Sequence, residues 1–281
     1  MIPTLVIFLR EGIEASMIVA ILLAYLKQIG QRRHFRDVFA GVAGAFGLIF
    51  CGGIAAYFLI EQYDGSRVQT YFETATYLIA AAVLTYMTFW MQSNARGLSG
   101  DLKRKSEEAL STGKRFGLAL LSFQAVGREG LETMVFTLAI IFANTKQAGT
   151  PVHGGLIWLG AILGIAISLG IAFYIYKLGA KLNLRRFFRI LGVVLMIFAA
   201  GLVADAIQNM QELNWLHLGA GQLWNTSRFV SEDSNFGDIL HQLFGYADRP
   251  SPLQATSWAL YMVAGISLFV YLGRIKPQKK S

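Results

Sequence analysis

Two five-residue runs, Arg10-Glu11-Gly12-Ile13-Glu14 and Arg128-Glu129-Gly130-Leu131-Glu132, repeat one pattern. Each lies in a stretch apolar and long enough to cross a bilayer. Carboxylate oxygens are ligands for hard metal cations and for iron. At membrane depth, however, each charged side chain costs roughly 2.5–3.5 kcal/mol. Six of them unpaired would cost about 15–20 kcal/mol, above the roughly 5–15 kcal/mol net stability of an ordinary domain. These side chains must pair, line water or hold an ion.

On a helix turning about 100° per residue, Arg10 defines 0°, Glu14 falls near 40° and Glu11 near 100°, so the three share a face. Gly12 falls on the far side, where it lets a neighbouring helix approach closely. The same geometry holds for Arg128, Glu129, Gly130 and Glu132. If the two motifs meet across a two-fold axis, four carboxylates and two guanidiniums converge with a net charge of −2. A cation offsets that deficit, while Arg10 and Arg128 orient the carboxylates and limit their repulsion. The plainer reading is that each arginine pairs with the glutamate at i+4 and staples helices together. That reading leaves the repetition and the charge imbalance unexplained.

The chain that must position these groups has 281 residues, 54% hydrophobic and only 15% charged, with 29 glycines and a mean hydropathy of +0.48. A soluble globular chain is nearer one quarter charged. The composition therefore predicts an all-α integral membrane protein. Apolar stretches of about 20 residues, the length a helix needs to cross, fall near 4–26, 38–60, 70–92, 116–143, 154–177, 187–208 and 253–273. Seven transmembrane helices are expected. The net charge of +8 does not point to nucleic acid, because the basic residues gather in short loops rather than on one soluble face.

Those loops orient the chain. Lys27, Arg32, Arg33 and Arg36 lie between the first two spans; Arg96, Lys103, Arg104, Lys105, Lys114 and Arg115 lie between the third and fourth. Lys177, Lys181, Arg185, Arg186 and Arg189 follow the fifth, and Arg274, Lys276, Lys279 and Lys280 the seventh. The alternate loops hold only Arg67, Lys146, Arg228 and Arg249. By the positive-inside rule, the N-terminus is outside and the C-terminus cytoplasmic.

Each motif opens a group of three spans, and an odd number per group turns the second upside down. The expectation is an inverted 3+3 repeat plus one C-terminal helix, with substrate held where the repeats meet. The chain then divides into repeat one (1–92), a cytoplasmic loop with helical character (93–115), repeat two (116–208), an external loop (209–252), and a last helix with a basic cytoplasmic tail (253–281). Trp215, Trp224, Phe229, Phe236 and Phe244 mark the external loop as a cap on the membrane surface, their rings reading as an interfacial belt.

Further acidic groups gather on the expected outer side. Glu73 begins the third span, Asp205 ends the sixth, and Glu61, Asp64, Glu232, Asp233 and Asp238 lie in outer loops, together able to attract cations. Singly, each reads as a solvated or capping residue. Met17 and Met134 follow the motifs at unequal offsets and read as helix filler. His34, His153, His217 and His241 fall outside the spans without ligand spacing and read as loop or interface residues. The single cysteine, Cys51, reads as packing. A phosphate-binding loop of the G-x-x-x-x-G-K-[ST] type is absent from the sequence, which argues against an ATP-driven pump.

The doubled R-E-G-[IL]-E motif resembles the oxidase-dependent iron permease family, most of all its bacterial EfeU-type branch. Phe72-Glu73, Leu84-Thr85-Tyr86-Met87, Phe89-Trp90-Met91, Ala199-Ala200-Gly201-Leu202, Leu243-Phe244-Gly245-Tyr246 and Pro250-Ser251 resemble it too, from residue 1 to about 273. The resemblance implies a permease rather than an enzyme, moving iron into the cytoplasm across the plasma (inner) membrane of a bacterium. Iron is then the cargo, with no tightly bound cofactor. Glu11, Glu14, Glu129 and Glu132 would handle the ion, with Glu73 as an extra acidic group and Arg10, Arg128 and Asp205 in support. Membrane lipid surrounds such a permease, and the implied partners are an extracytoplasmic iron-binding protein and a ferroxidase or haem peroxidase.

Two rival readings stand beside this one. Carboxylates alone do not select iron, so another divalent metal such as manganese, or a proton-coupled solute, fits the same residues. An intramembrane metal-dependent oxidoreductase of the bundle type would want Glu-x-x-His pairs, and neither motif has a histidine at the matching place.

Overall fold

A computed structural model describes residues 2–62, 66–94, 98–111, 116–145, 154–178, 184–217, 219, 221–232 and 234–274. Every extended regular element among them is helical, and no strand is present among the described residues. The long helices are α1 (Ile2–Gln28), α2 (Phe35–Gln62) and α3 (Arg67–Asn94), then, after the short α4 (Leu98–Ser111), α5 (Gly117–Thr145), α6 (Gly154–Leu178) and α7 (Leu184–Glu212). A short α8 (Asn235–Phe244) precedes the last long helix, α9 (Pro252–Arg274).

A 27-residue helix such as α1 extends about 40 Å, beyond the ~30 Å of a hydrocarbon core. Among the described residues, four helical stretches are long and apolar enough to cross a membrane: Arg32–Ala56, Arg67–Gln92, Arg189–Glu212 and Pro252–Leu272. Ile157–Phe173 in α6 is a shorter apolar stretch. Helices α1 and α5 are as long, but each carries three motif charges midway. Bulky apolar side chains face outward, among them Phe46, Phe50 and Phe58 on α2, Trp158 and Phe173 on α6, and Leu260 and Val263 on α9. That surface suits lipid and would aggregate in water. The chain is an integral membrane protein.

Helices overrun the spans expected from hydropathy. Asp205 therefore lies inside α7 rather than at its end, and Glu73 sits two turns into α3. The reason is local: polar residues beyond the apolar run keep helical backbone because their side chains find partners. Gln208 donates to Glu212 at 3.2 Å, and Asn209 to Glu73 at 3.5 Å. Asp64, Asp233, His153 and Lys146 lie outside the described residues. Glu61 falls in α2 and Asp238 in α8 rather than in open loops.

The packing order sets the site. Helix α1 lies chiefly on α6, α2 on α5, and α3 on α7, with α1 and α5 in direct contact at the centre. Since lipid tails are as apolar as leucine, close approach at small residues does much of the work of holding such pairs. Gly12 faces Ser168 of α6, and Gly130 faces Ile49 of α2, so both motif glycines meet a neighbouring helix as their position opposite the charges requires. Gly41 lies against the Ala119 carbonyl of α5, and Gly164 against the backbone of α1 at Leu5 and Leu9.

Two apolar clusters lie on either side of the motif level. One includes Ile7, Tyr77, Leu84, Phe136, Phe142 and Leu195. The other joins Ile18, Leu22, Leu26, Val38 and Leu118 to Leu102 of α4. Both α4 and α8 contact α1 and α5. Helix α8 starts at an N-cap, the Ser234 side chain accepting from the Gly237 amide at 3.0 Å. It ends at Gly245, whose φ of 65° and contact with Gly201 of α7 both exclude a side chain. The expected cap rings Trp215, Trp224, Phe229, Phe236 and Phe244 are all exposed, Trp215 stacking on Tyr71 at 5.2 Å.

Gly41→Ala and Gly164→Ala drive a Cβ into a neighbouring backbone and are expected to destabilise by about 1–3 kcal/mol each. The thermal midpoint of the detergent-purified chain reads this. Gly47, also on α2, faces open space, so Gly47→Ala should leave the midpoint unchanged. Equal effects from all three would show that these crossings do not set stability.

Candidate metal centre

On α1, Glu11 and Glu14 lie between Ile7 and Ile18, the anchors of the two apolar clusters; on α5, Glu129 lies between Leu118 and Phe136. The contact between α1 and α5 brings the three carboxylates together. One oxygen from each of Glu11, Glu14 and Glu129 lies within 4.8 Å of the other two. They are 3%, 4% and 6% exposed. Arg10, 2% exposed, donates from Nη1 to Glu11 Oε1 at 2.6 Å, and its Nε stands 3.3 Å from Glu14 Oε1.

The pairing is incomplete. Glu11 Oε2, Glu129 Oε2 and Glu132 Oε2 are buried without a hydrogen-bond donor, and Glu14 Oε1 has only the 3.3 Å ion pair with Arg10. A buried acceptor left unmatched costs about 1–3 kcal/mol, and more when charged. Were all three carboxylates ionised around one guanidinium, two negative charges would be left in a closed apolar setting. A divalent cation matches both the charge and the oxygen donors.

The fourth motif glutamate is placed differently from the other three. Glu132 pairs with Arg128, Oε1 to Nε at 3.0 Å, and its side chain is 12% exposed. It remains within electrostatic reach of Arg10 and Glu14. Arg128 is not buried like Arg10. Its Nη2 points to Met87 Sδ at 3.0 Å, and its Cζ stands 5.1 Å from the Trp90 ring centroid. The sequence therefore locates all six charges but not the asymmetry between the two arginines: Arg128 meets Met87 and Trp90 of α3, whereas Arg10 is enclosed with Glu11 and Glu14.

Glu73 and Asp205 form a separate group between α3 and α7. The two helices run antiparallel, so Glu73 faces Asn209 and Tyr77, one turn on, faces Asp205. Glu73 also accepts from Gln69 at 3.0 Å. Tyr77 feels the charges of Asp205, Glu73 and Glu212, and its buried hydroxyl has no hydrogen-bond partner. His241 of α8 completes this group: Nε2 is 3.9 Å from Asp205 Oδ2, and Nδ1 is 3.0 Å from Glu232 Oε1. Burial pushes the Glu232 carboxyl above its usual range, against the pull of His241. Sequence reasoning passed over His241, because its acidic partners come from distant segments.

Comparison with known proteins completes the picture. The model of the iron permease FTR1 family matches residues 1–275. The ferrous iron permease EfeU of Escherichia coli (strain UTI89 / UPEC) is 34% identical over 272 residues, 94% of this chain and 93% of that protein. The protein of that name in Shigella sonnei (strain Ss046) is 34% identical over 271 residues, 94% of this chain and 93% of that one. The one in Yersinia pestis is 32% identical over 274 residues, 95% and 92% respectively. No solved structure matches. With the family model aligned along nearly its whole length and these relatives matched almost end to end, the chain belongs to the iron permease FTR1 family.

Proposed function

We propose that this permease carries ferrous iron into the cytoplasm through a site between α1 and α5. The observation that carries the reading is the trio Glu11, Glu14 and Glu129, buried together with unmatched oxygens around a single guanidinium. Membership of an iron permease family makes iron the cargo, and the relatives' name supplies the ferrous state. Glu132 serves as the fourth carboxylate, next to the trio on the Arg128 side. The acidic group of Glu73, Asp205 and Glu232 attracts cations at the outer mouth and raises their local concentration.

Seven spans in an inverted 3+3 repeat suit this path, with α1–α3 as one half, α5–α7 as the other, and α9 outside both. The reciprocal pairing of α1 on α6 and α5 on α2 supports that symmetry, as do the glycine contacts at Gly12 and Gly130. The loop charges support an outer N-terminus and a cytoplasmic C-terminus in a bacterial inner membrane. In this reading α8 covers the outer end of the α1–α5 pair and α4 the inner end. Ions would arrive by way of an extracytoplasmic iron-binding protein.

Removing one carboxylate from a divalent ion in a closed site removes several kcal/mol of attraction. Glu14→Gln, Glu129→Gln and Glu132→Gln are therefore each expected to lower iron uptake into proteoliposomes by about a hundredfold. Reconstituted amounts are matched, and Fe(II) and Fe(III) are supplied in separate arms. Uptake by the natural chain from the Fe(II) arm supports the reading. Undiminished uptake by all three variants contradicts it, and uptake of manganese in preference to iron would reassign the cargo.

Orientation has its own check. With Cys51 replaced by serine, Arg228→Cys is expected to react with a membrane-impermeant thiol reagent in intact cells. Lys103→Cys, on exposed α4, should react only after permeabilisation. The opposite pattern would invert the topology.

A further inference from the structure

The two motifs share one pattern, yet their arginines sit differently. Arg10 is buried and shared between Glu11 and Glu14. The Arg128 side chain is 43% exposed and bonds Glu132 through Nε alone. The rest of its fork faces the Met87 thioether at 3.0 Å and the Trp90 ring at 5.1 Å. A thioether is a weak acceptor, whereas carboxylate bonds to arginine are among the strongest a protein makes. Glu129, with an unmatched oxygen, and Glu14, whose Oε1 has only the 3.3 Å contact with Arg10, lie within electrostatic reach of this guanidinium. Something must keep it from turning inward to them. The groups that touch it on the other side belong to α3: Met87, 1% exposed, and Trp90, half-buried three residues on along the same face.

We propose that Met87 and Trp90 are positioning residues that hold Arg128 out of the carboxylate centre and so preserve the charge deficit that binds the cation. With Arg128 outside, three carboxylates face one guanidinium and two negative charges remain for a divalent ion. With Arg128 turned in, only one remains at the trio, Glu132 is left unpaired beside it, and a tethered cation competes for the oxygens that would hold the ion. The ring face attracts the guanidinium through the aromatic quadrupole, and the half-buried setting strengthens that attraction. The thioether fixes the direction of Nη2. This inference rests on the proposed function and assigns to α3 a part in cation affinity that the motifs alone do not describe.

The test is anaerobic titration of Fe(II) into the detergent-purified full chain, with thermal midpoints measured in parallel. Trp90→Leu is expected to raise the dissociation constant about tenfold by releasing Arg128, and Trp90→Phe, which keeps a ring face, to stay within about threefold of the natural chain. In an Arg128→Gln background, Trp90→Leu should have no further effect, because there is no guanidinium left to restrain. Met87→Leu, close in volume, repeats the comparison should Trp90→Leu not fold: a weaker rise is expected with Arg128 present and none without it. Natural affinity in Trp90→Leu, or an equal loss with and without Arg128, overturns the proposal. A natural chain that binds no Fe(II) overturns the metal centre itself and this inference with it.

Discussion

The structure depends on an electrostatic imbalance held at the crossing of α1 and α5. Glu11, Glu14 and Glu129 are brought together in a closed apolar setting with Arg10 as their buried counter-charge. Charge in such a place is tolerated only when it is matched. Arg10 matches part of it, and the unmatched oxygens mark the remainder. The glycines behind the charges, the tight pairing of α1 on α6 and α2 on α5, and the apolar clusters around the motif level all serve to bring these groups close and keep water away.

Reciprocal helix pairs surround a centre that is not itself symmetric. Each motif places a glycine against a neighbouring helix and an arginine next to a glutamate four residues on. The symmetry breaks at α3, which brings Met87 and Trp90 to Arg128. A strictly symmetric site would hold four carboxylates and two guanidiniums at one depth. The observed one has a tight trio and a looser Arg128–Glu132 pair beside it. Under the proposed function, these would be two unequal stations in sequence for an ion that must bind strongly enough to enter and weakly enough to leave.

Much of this was legible in the chain. A charged pentapeptide repeated within apolar runs located the centre, because membrane depth makes charge expensive wherever the surrounding helix puts it. The 3.6-residue period put Gly12 and Gly130 opposite the charges, and the packing brings a neighbouring helix to each. Helix α4 falls within the stretch 93–115, and α8 within 209–252. What the sequence hid depends on tertiary contact. Glu73 meets Asn209 across 136 positions, and Arg128 meets Met87 across 41. His241 looked like a loop residue until α8 folded it against Asp205 and Glu232. Local periodicity says which face of a helix a residue occupies, and only the packing says what that face meets.

The most direct test is where the ion sits. Crystals of the full chain grown in lipid and soaked anaerobically with Fe(II) would give an anomalous difference map at the iron edge. The account requires a peak enclosed by Glu11, Glu14 and Glu129. A peak confined to the Glu73–Asp205 group, or a map with no peak at the α1–α5 crossing, would contradict it.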